Sequence, residues 1–473
     1  MFAVRTINVF LFWGIWLLVP LLVDGISAVA QLVSIYIGQT ARRRRLAADL
    51  KETGAFLVPG RRRWTSRSRE LPPLQRFPLV TVIIPIHNGS HTLRRTLDSL
   101  AVQTYPRDSM EIICVDNGSV DDCFKVFFAF QTQNPGLRVV WIPIERPGKA
   151  AALNAGIYSS AGTYILAVDA DVSLAEDAVY EMIRSFEYRP RLAAATGAIA
   201  VTAPKREPNR FMEILHVCEA FEYLSAFRVG RRYQSLVNSL YTLSGAFSAF
   251  RRDALLEGSH LYDSLTVSED TKLTFDLRAR VRFRRPDATI ECVDTALAFA
   301  EPIPSLAALY SQRLRWQRGQ VEVTALHSAE QAGLSGPLRT VSGRILLADH
   351  TLAFPRLIWT FLLPFLFLLG YSPTVVVTAV VAMYVAYVLI EVLFYLAAYH
   401  YVERPDQAWL KSIGWIVLIM PLFRFTIYWF RLAGILHAVA EPQRWNTHPL
   451  DQEAKAAKPA VSPTRRARTT RGG

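Results

Sequence analysis

Two regions of apolar sequence, one at the N-terminus and one in the last third, flank a middle region of ordinary composition. Residues 7–38 are apolar apart from Asn8, Asp24 and a few small polar groups. A membrane helix needs about 20 apolar residues, so this stretch predicts one long or tilted span. It is too long for the core of a signal peptide, typically ~7–15 residues, and no small-residue cleavage site follows it. The alternative is a buried helix of a soluble protein.

Three more apolar segments occur late in the chain. The first two have the length and composition of membrane spans: 352–370 and 374–399. The third, 412–438, contains Arg424 and Arg431. Because arginine is costly in the middle of a bilayer, this segment is open to three interpretations: it spans, it breaks at Pro421, or it lies partly in the interface. The number of spans, three or four, therefore stays open.

The formal net charge is +13, and many of the basic residues lie between residues 42 and 69, directly after the first apolar stretch. The positive-inside rule then places the N-terminus outside and the middle region in the cytoplasm. The same basic run is suited to anionic lipid head groups, whereas nucleic-acid binding is the less favoured interpretation. The four cysteines show no CxxC or metal-ligand spacing, which disfavours a disulfide framework and a zinc site.

The middle region alternates between strand-like and helix-like patterns. The strand-like runs are 79–85, 110–116, 137–143 and 163–169, and the helical patterns lie near 91–104, near 120–132 and from 148 onward. Such alternation predicts an α/β fold with a mostly parallel sheet. In these sheets, ligands bind beyond the carboxyl ends of the strands. Polar residues follow three of these strands: His87 and Asn88, Asp116 and Asn117, Asp169 and Asp171.

Asp169 and Asp171 are separated by one alanine at the end of an apolar run. In extended backbone, residues i and i+2 point the same way, so both carboxylates can face one point. Carboxylate oxygens suit Mg²⁺ or Mn²⁺, which commonly bridge one or two carboxylates to a substrate's phosphates. The alternative is that one of them caps a helix starting near Ser173. Because neither a Walker loop nor GxGxxG occurs, phosphate binding is expected to depend on the metal.

A series of motifs then occurs in order: TVIIPIHNGS, EIICVDNGSVDD, RPGKAAALNAG, AVDADV, LSGAFSAFRRDAL, VSEDTKLTFDL and QRLRW. Over about residues 78–325 the chain resembles a membrane-embedded family 2 glycosyltransferase, the group of cellulose, hyaluronan and poly-N-acetylglucosamine synthases. The resemblance implies a GT-A-like nucleotide-sugar-binding domain with a mostly parallel sheet, inserted between N-terminal and C-terminal transmembrane helices.

The expected domains follow from these patterns and the resemblance. They are an N-terminal transmembrane segment (1–40), a basic cytoplasmic linker (41–77), a GT-A-like catalytic domain (78–300), interfacial amphipathic helices with QRLRW (301–350), C-terminal transmembrane segments (351–440) and a basic, disordered tail (441–473).

The resemblance also implies roles for individual residues. On the donor side, Asp116 would bind the nucleotide near the uracil, with Pro85 and Asn88 shaping the same pocket. Lys149 would face the diphosphate. Asp169 and Asp171 would hold Mg²⁺ or Mn²⁺, with Asp171 the more direct ligand.

On the acceptor side, the resemblance makes Asp270 the general base and places Glu269 beside it among the catalytic residues. Gln312, Arg315 and Trp316 belong to QRLRW, where Arg315 would meet the diphosphate and Trp316 the acceptor sugar. The chain departs from the usual family pattern at His87, Asn117 and Ser268.

Each role has a purely structural alternative. Glu269 and Asp270 could be charges that favour the start of a helix. Arg315 and Arg318 could form the solvated face of an amphipathic helix, with Leu314 on the other face. His87 could be an exposed loop histidine.

The function implied by the resemblance is inverting, metal-dependent transfer from a UDP-sugar, with UDP-N-acetylglucosamine the first candidate, to a growing β-linked polysaccharide with coupled translocation. The expected partners are the donor, a glycan acceptor, the lipid bilayer and accessory membrane or exopolysaccharide-assembly proteins, and no nucleic acid. The expected location is the inner membrane, as a multi-pass protein with a cytoplasmic catalytic domain. Two alternatives are single transfer to a polyprenyl phosphate and a non-catalytic nucleotide-sugar sensor.

Overall fold

The computed structural model describes residues 24–55, 71–145, 148–202, 209–256, 261–264, 266–284, 286–330, 341–344, 362, 365–402 and 404–440. Eight strands are present in this part of the chain: β1 Val80–Ile86, β2 Met110–Asp116, β3 Arg138–Pro143, β4 Tyr164–Val168, β5 Val172–Leu174, β6 Leu192–Val201, β7 Phe247–Arg251 and β8 Thr289–Ala300.

The main α-helices among these described residues are α1 Ile26–Glu52, α2 Ser90–Ala101, α3 Cys123–Gln133, α4 Lys149–Ser159, α5 Ala178–Glu187, α6 Arg210–Tyr223, α7 Arg231–Leu236, α8 Arg252–Leu256, α9 Glu269–Arg284, α10 Leu306–Glu330, α11 Pro373–Tyr401, α12 Arg404–Ser412 and α13 Ile416–Ala440. A π-helical turn, Leu224–Gly230, joins α6 to α7.

The four predicted strands form one parallel half of the sheet, in the order β3-β2-β1-β4. Strand β1 is buried along its whole length. Alternate residues of β1 belong to two hydrophobic clusters: Val82 and Ile84 to one, and Ile83 to the other. This alternation follows from the two-residue period of a strand, and burial on both faces is typical of parallel sheets. The predicted α/β alternation is therefore confirmed over this half.

The second half of the sheet is mixed, which corrects the expectation of a mostly parallel sheet. The full order is β3-β2-β1-β4-β7-β6-β8-β5. Strand β7 is antiparallel to both β4 and β6, and β5 is antiparallel to β8. Strand β6 (LAAATGAIAV) is rich in alanine, a residue depleted in strands, so its sequence carries a weak strand signal.

The segment after Asp171 differs from one of the predicted alternatives. Residues Val172–Leu174 form β5, and the next helix begins at Ala178, after Asp177. No helix starts near Ser173. The interpretation of Asp169 or Asp171 as the cap of such a helix is therefore wrong.

In the part of the chain that the structure describes, two helices, α11 and α13, are long and apolar enough by length and composition to cross a membrane. They correspond to the predicted spans 374–399 and 412–438. Helix α13 continues through Pro421, so the interpretation of a break at that residue is wrong. Most of the predicted span 352–370, residues 1–23 of the predicted N-terminal segment and the tail 441–473 lie outside the described residues.

The described part of the N-terminal segment belongs to α1, whose apolar first half is Ile26–Gly38. The same helix continues through the arginine run 42–45 and ends at Glu52. The segment predicted as a linker thus begins as the second half of a helix. Asp49 in this half lies 3.6 Å from the Nε atom of Arg191 in the sheet domain.

Candidate active site

A cavity of about 950 Å³ opens at the carboxyl ends of β1 and β4 and continues between α10, α11 and α13. Its wall contains residues that follow the parallel strands, such as His87, Asn117 and Asp169. The sequence predicts ligand binding at this edge, where the carboxyl ends of the parallel strands lie side by side. The cavity therefore joins the strand ends to the two long apolar helices.

Lys149 is the first residue of α4 and extends into this cavity. Its Nζ atom lies 2.7 Å from Asp169 Oδ1 and 3.4 Å from Glu269 Oε1. Burial alone would lower the pKa of Lys149, but Asp169 and Glu269 outweigh it and raise the pKa. The Lys149 ammonium group therefore contacts two carboxylates, that of Asp169 after β4 and that of Glu269 at the start of α9.

Asp169 and Asp171, which with the alanine between them form a DxD motif, differ in their surroundings. Asp171 is open to the cavity, and Arg95 Nη2 donates a hydrogen bond to its backbone oxygen over 3.0 Å. Partial desolvation inside the cavity raises the pKa of Asp171, and so does the neighbouring Asp169 carboxylate. The positive charges of Lys149 and Arg315 oppose this rise. A cation between the two carboxylates would relieve their repulsion.

Asp270 lies in the first turn of α9, as the structural alternative proposed. Its Oδ1 atom accepts a hydrogen bond from the Thr271 N–H over 2.7 Å, and Oδ2 accepts one from the Gly245 N–H over 3.1 Å. The neighbouring Glu269 is buried, and burial together with Asp270 raises the pKa of Glu269 against the effect of Lys149. Asp270 thus starts a helix and also lines the cavity.

Helix α10 places Gln312, Arg315 and Trp316 on the cavity wall. The Trp316 side chain is 38% exposed. The Arg313 guanidinium lies over the Trp316 ring, 4.3 Å from its centroid, and Arg313 forms a 2.5 Å ion pair with Glu222 of α6. The ring is therefore supported by a cation–π contact.

The interpretation of Arg315 and Arg318 as a solvated face of α10 is wrong for Arg318. Arg318 is 1% exposed and ion-paired to Glu322 over 2.8 Å. Glu322 also accepts a hydrogen bond from the Val267 N–H over 3.1 Å, which ties α10 to the loop before α9. Arg315 is half-buried and faces the cavity.

Two glycines let α10 pack closely on both sides. A Cβ atom on Gly319 would lie 2.5 Å from Ser268 Cβ, and one on Gly434 of α13 would lie 2.7 Å from the Leu314 carbonyl oxygen. Real Cβ atoms essentially never approach so closely. The helix with QRLRW is therefore held between Ser268, directly before α9, and α13.

On the donor side, Pro85 and Asn88 line the cavity. Asn88 has φ of 50°, and its Oδ1 atom accepts a hydrogen bond from the Val120 N–H over 2.9 Å. Asp116 is not among the lining residues, and its Oδ1 atom accepts a hydrogen bond from the Ser119 N–H over 2.9 Å. Asp116 therefore shapes the loop after β2, and its predicted contact with a nucleotide stays a prediction.

Two of the residues that depart from the family pattern contact each other. His87 Nδ1 lies 3.0 Å from the Asn117 carbonyl oxygen, so the ring donates at that nitrogen. Asn117 Oδ1 accepts a hydrogen bond from the Gly148 N–H over 2.5 Å, directly before Lys149. His87 is exposed, as the structural alternative proposed, and it also belongs to the hydrogen-bonded rim of the donor side.

The arginines of the last apolar segment have polar partners. Arg424 forms an ion pair with Glu391 of α11, and Arg431 Nε donates a hydrogen bond to Gln317 Oε1 over 2.5 Å. Tyr387 of α11 donates to Asp24 Oδ2 over 2.9 Å. These polar groups line the same cavity as the DxD motif. Pairing between helices thus offsets the cost expected for arginine in apolar surroundings.

Asp169 and Asp171 are the residues that fit a divalent cation here. Within the described ranges, no group of three or more His, Cys, Asp or Glu side chains is arranged to hold a metal. Two carboxylates are enough for Mg²⁺, which keeps waters and shares its coordination with substrate phosphates. The donor set and the mutual repulsion of the two aspartates therefore fit a metal that is completed by the substrate.

Sequence reasoning did not single out Gly245, Arg313 or Glu222. Gly245 lies within LSGAFSAF, so the motif itself was a signal for it. Arg313 lies within QRLRW, but its contact with Glu222 depends on how α6 meets α10. No sequence pattern indicates that contact.

Residues 81–258 match the family model described as Glycosyl transferase family 2. The chain is 30% identical over 244 residues to poly-beta-1,6-N-acetyl-D-glucosamine synthase of Staphylococcus epidermidis, over 52% of this chain and 55% of that protein. It is 29% identical over 245 residues to the synthase of the same name from Staphylococcus aureus strain COL, over the same shares. The chain therefore spans about half the length of these curated relatives.

The fold is similar to that of a mannosyltransferase from Pyrobaculum calidifontis solved in complex with GDP-Man and Mn²⁺. The TM-score is 0.51 and the identity 18%, over 87% of this chain and 98% of that one. This likeness concerns the fold, and it confirms the GT-A-like α/β architecture. The family resemblance expected from the motifs is confirmed by the match over residues 81–258.

Proposed function

Because the chain carries a glycosyltransferase family 2 domain, we propose that it transfers a sugar from a UDP-sugar to a growing β-linked polysaccharide. N-acetylglucosamine is the proposed sugar, since the relatives from Staphylococcus are named as poly-beta-1,6-N-acetyl-D-glucosamine synthases. The observation that carries the proposal is one cavity that holds the DxD aspartates, Asp270 and the QRLRW side chains and then continues between the apolar helices.

On the donor side, Asp169 and Asp171 would hold Mg²⁺ or Mn²⁺, which would supply positive charge for the departing diphosphate. Lys149 lines the same wall, and Arg315 reaches it from α10. Arginine suits phosphate because its planar guanidinium binds two oxygens. These cations would stabilise the negative charge that develops as the bond between sugar and diphosphate breaks.

On the acceptor side, Asp270 would take the proton of the acceptor hydroxyl as that oxygen forms the new glycosidic bond. A single displacement of this kind inverts the anomeric centre, so an α-linked donor gives a β-linkage. The Gly245 and Thr271 N–H groups hold the Asp270 carboxylate in place. Trp316, backed by Arg313, offers an apolar ring face to the acceptor sugar.

Translocation of the product is part of the proposal. The cavity wall includes Tyr387 and Glu391 of α11 and Arg424 and Arg431 of α13. Polar groups on apolar helices are suited to the hydroxyl groups of a glycan that passes between them. Arg424 is neutralised by Glu391, which favours a neutral glycan over a lipid phosphate at this point. The basic run after the first apolar stretch supports a cytoplasmic catalytic domain on the inner membrane.

The test is incubation of membranes containing the protein with a panel of labelled UDP-sugars and Mg²⁺ or Mn²⁺, followed by sizing of the product. We expect polymer from UDP-N-acetylglucosamine, and no polymer when the metal is chelated. A product of one sugar on a lipid would instead indicate a transferase acting on polyprenyl phosphate. Binding of a UDP-sugar without any turnover would indicate a sensor.

A further inference from the structure

One ammonium group is shared by two carboxylates at the centre of the cavity. Lys149 Nζ lies 2.7 Å from Asp169 Oδ1 and 3.4 Å from Glu269 Oε1. The three side chains are 18%, 26% and 8% exposed, respectively. Asp169 comes from the end of β4 and Glu269 from the start of α9. The lysine therefore occupies one of the two oxygens of Asp169, a carboxylate of the proposed metal site.

We infer that Lys149 is the counter-ion of Asp169 in the donor-free protein, and that Glu269 is a positioning residue that receives the lysine when a divalent cation takes Asp169. This inference rests on the proposed function and gives Glu269 a specific part in it. Glu269 would act through Lys149 and would touch neither the substrate nor the metal.

Competition between the two cations follows from distance. A divalent ion such as Mg²⁺ binds carboxylate oxygens at 2.0–2.1 Å. An ammonium group at 2.7 Å from the same oxygen lies within the space of the metal's other ligands, and its positive charge repels the ion. Lys149 therefore competes with a metal for Oδ1 of Asp169, and its charge also weakens metal binding through Oδ2.

Glu269 is the carboxylate that would pair with Lys149 after the lysine moves away from Asp169. A charged lysine that left Asp169 without another partner would be a buried, unpaired charge, which is strongly unfavourable. Glu269 already lies 3.4 Å from Nζ, so a short shift converts the weaker contact into the main one. Gly245 has no side chain and so leaves room for the lysine to shift, since a Cβ atom there would lie 3.0 Å from Lys149 Nζ.

A consequence is that metal and donor bind together. Without a donor, the cation competes with Lys149 for Asp169, so metal affinity is reduced. A diphosphate offers the lysine new anionic partners and offers the cation new ligands. Each ligand therefore raises the affinity for the other, and the coupling is reciprocal.

The test is Mn²⁺ binding by the purified full chain in detergent, measured by electron paramagnetic resonance without any donor. Lys149→Met keeps an apolar stem of similar length and removes the charge. We expect it to bind Mn²⁺ about 10-fold more tightly or better than the wild type, a change of about 1.4 kcal/mol. Glu269→Gln, which leaves the lysine on Asp169 alone, is expected to weaken Mn²⁺ binding.

The double variant separates positioning from direct electrostatics. If Glu269 acts through Lys149, Glu269→Gln changes the Mn²⁺ Kd little in the Lys149→Met background. An equal weakening in both backgrounds would overturn the positioning role, because Glu269 would then act on the metal itself. Unchanged or weaker Mn²⁺ binding by Lys149→Met would overturn the competition. Lys149→Gln, with a neutral amide, serves the same comparison if the methionine variant does not fold.

A parallel titration with saturating UDP distinguishes this inference from the proposed function. One outcome is that the wild type binds Mn²⁺ in the presence of UDP, whereas Lys149→Met leaves Mn²⁺ binding without UDP unchanged. That outcome contradicts the inference about Lys149 but not the proposed function. Absence of Mn²⁺ binding to either protein, with or without UDP, contradicts the proposed metal-dependent function. Lys149→Arg keeps the cation, and we expect its donor-free Mn²⁺ binding to remain as weak as that of the wild type.

Discussion

The backbone N–H of Gly245 donates a hydrogen bond to Oδ2 of Asp270 over 3.1 Å. Gly245 precedes β7 and Asp270 lies in the first turn of α9, so the bond joins the loop before β7 to α9. A Cβ atom at Gly245 would lie 3.0 Å from Lys149 Nζ and 3.7 Å from an oxygen of each of Asp169 and Asp270. The missing side chain thus allows three charged groups from separate elements to converge.

Gly245→Val is expected to lower turnover while the protein stays folded. The new side chain would enter the space between Lys149 and the two aspartates, and displacements of about 1 Å near reacting groups can cost about 10²-fold in rate. The measurement is UDP-sugar turnover beside thermal unfolding. Gly136→Val is the matched control, because a Cβ atom there meets nothing within 4 Å. Turnover close to wild type in Gly245→Val would show that Lys149, Asp169 and Asp270 do not depend on the space left by the missing side chain.

Asp270→Asn should leave UDP binding nearly intact and lower turnover by about 10²–10⁴-fold, the usual contribution of a general base. The amide oxygen can still accept the hydrogen bond from Gly245, whereas the amide NH2 group cannot accept the one from the Thr271 N–H. UDP affinity and turnover are measured separately. Asp98→Asn is the control, since Asp98 is exposed on α2 and pairs with Arg94 over 2.9 Å. If Asp270→Asn retains most of its rate, Asp270 is a helix-start residue and no base.

The parallel half of the fold was predictable because β1, β2 and β4 are apolar runs between clear helical patterns, and the strand ends located the edge of the site. The alanine-rich β6 carried no such signal, and the antiparallel entry of β7 between β4 and β6 depends on packing. The types of the site residues could be predicted from motifs. Their contacts could not, because pairs such as Lys149 and Asp169 are fixed by how separate elements meet.

Trp316→Ala should weaken the acceptor side and spare the donor side. Burial of apolar surface is worth roughly 25 cal/mol per Å², so loss of one stacked sugar face should cost about 1–2 kcal/mol, or about ten- to thirty-fold in acceptor affinity. A processive enzyme weakened in this way would release its chains early. The measurement is product length together with UDP-sugar hydrolysis in water.

The control is Trp415→Ala, because Trp415 is 42% exposed and does not line the cavity. Shorter chains from Trp316→Ala, with hydrolysis preserved, would support the acceptor role. Full-length polymer from this variant would refute it.

Gly434→Ala tests the packing of α13 on the QRLRW helix. The added Cβ atom would lie 2.7 Å from the Leu314 carbonyl oxygen and 2.9 Å from Gln317 Cβ, so α10 and α13 must separate. Overpacking of this kind typically costs about 1–3 kcal/mol, and it should lower both the unfolding temperature in detergent and turnover. In Gly414→Ala the nearest atoms to the new Cβ are 3.7 and 3.8 Å away, so we expect no effect there. Equal behaviour of the two variants would contradict the close packing.

The ion pair between Glu391 and Arg424 joins the two long apolar helices. The Glu391 side chain is 5% exposed and that of Arg424 31%, so loss of either partner leaves a charge in mostly apolar surroundings. Breaking a buried pair from one side typically costs about 3–5 kcal/mol, whereas removal of both charges can be nearly neutral. The stability of the helix pair should therefore depend on the two charges jointly.

Arg424→Gln and Glu391→Gln should each lower the unfolding temperature in detergent, and the double variant should lose less than the sum of the two. The non-additive part measures the coupling of the pair. Arg94→Gln is the control, because Arg94 pairs with Asp98 on an exposed helix face, where such pairs contribute about 0.2–1 kcal/mol. Additive losses from Arg424→Gln and Glu391→Gln would mean that the two charges are solvated separately. Both residues also line the cavity. If the double variant unfolds like the wild type but its polymer stays on the side of the membrane where it is made, the pair belongs to the exit path of the product.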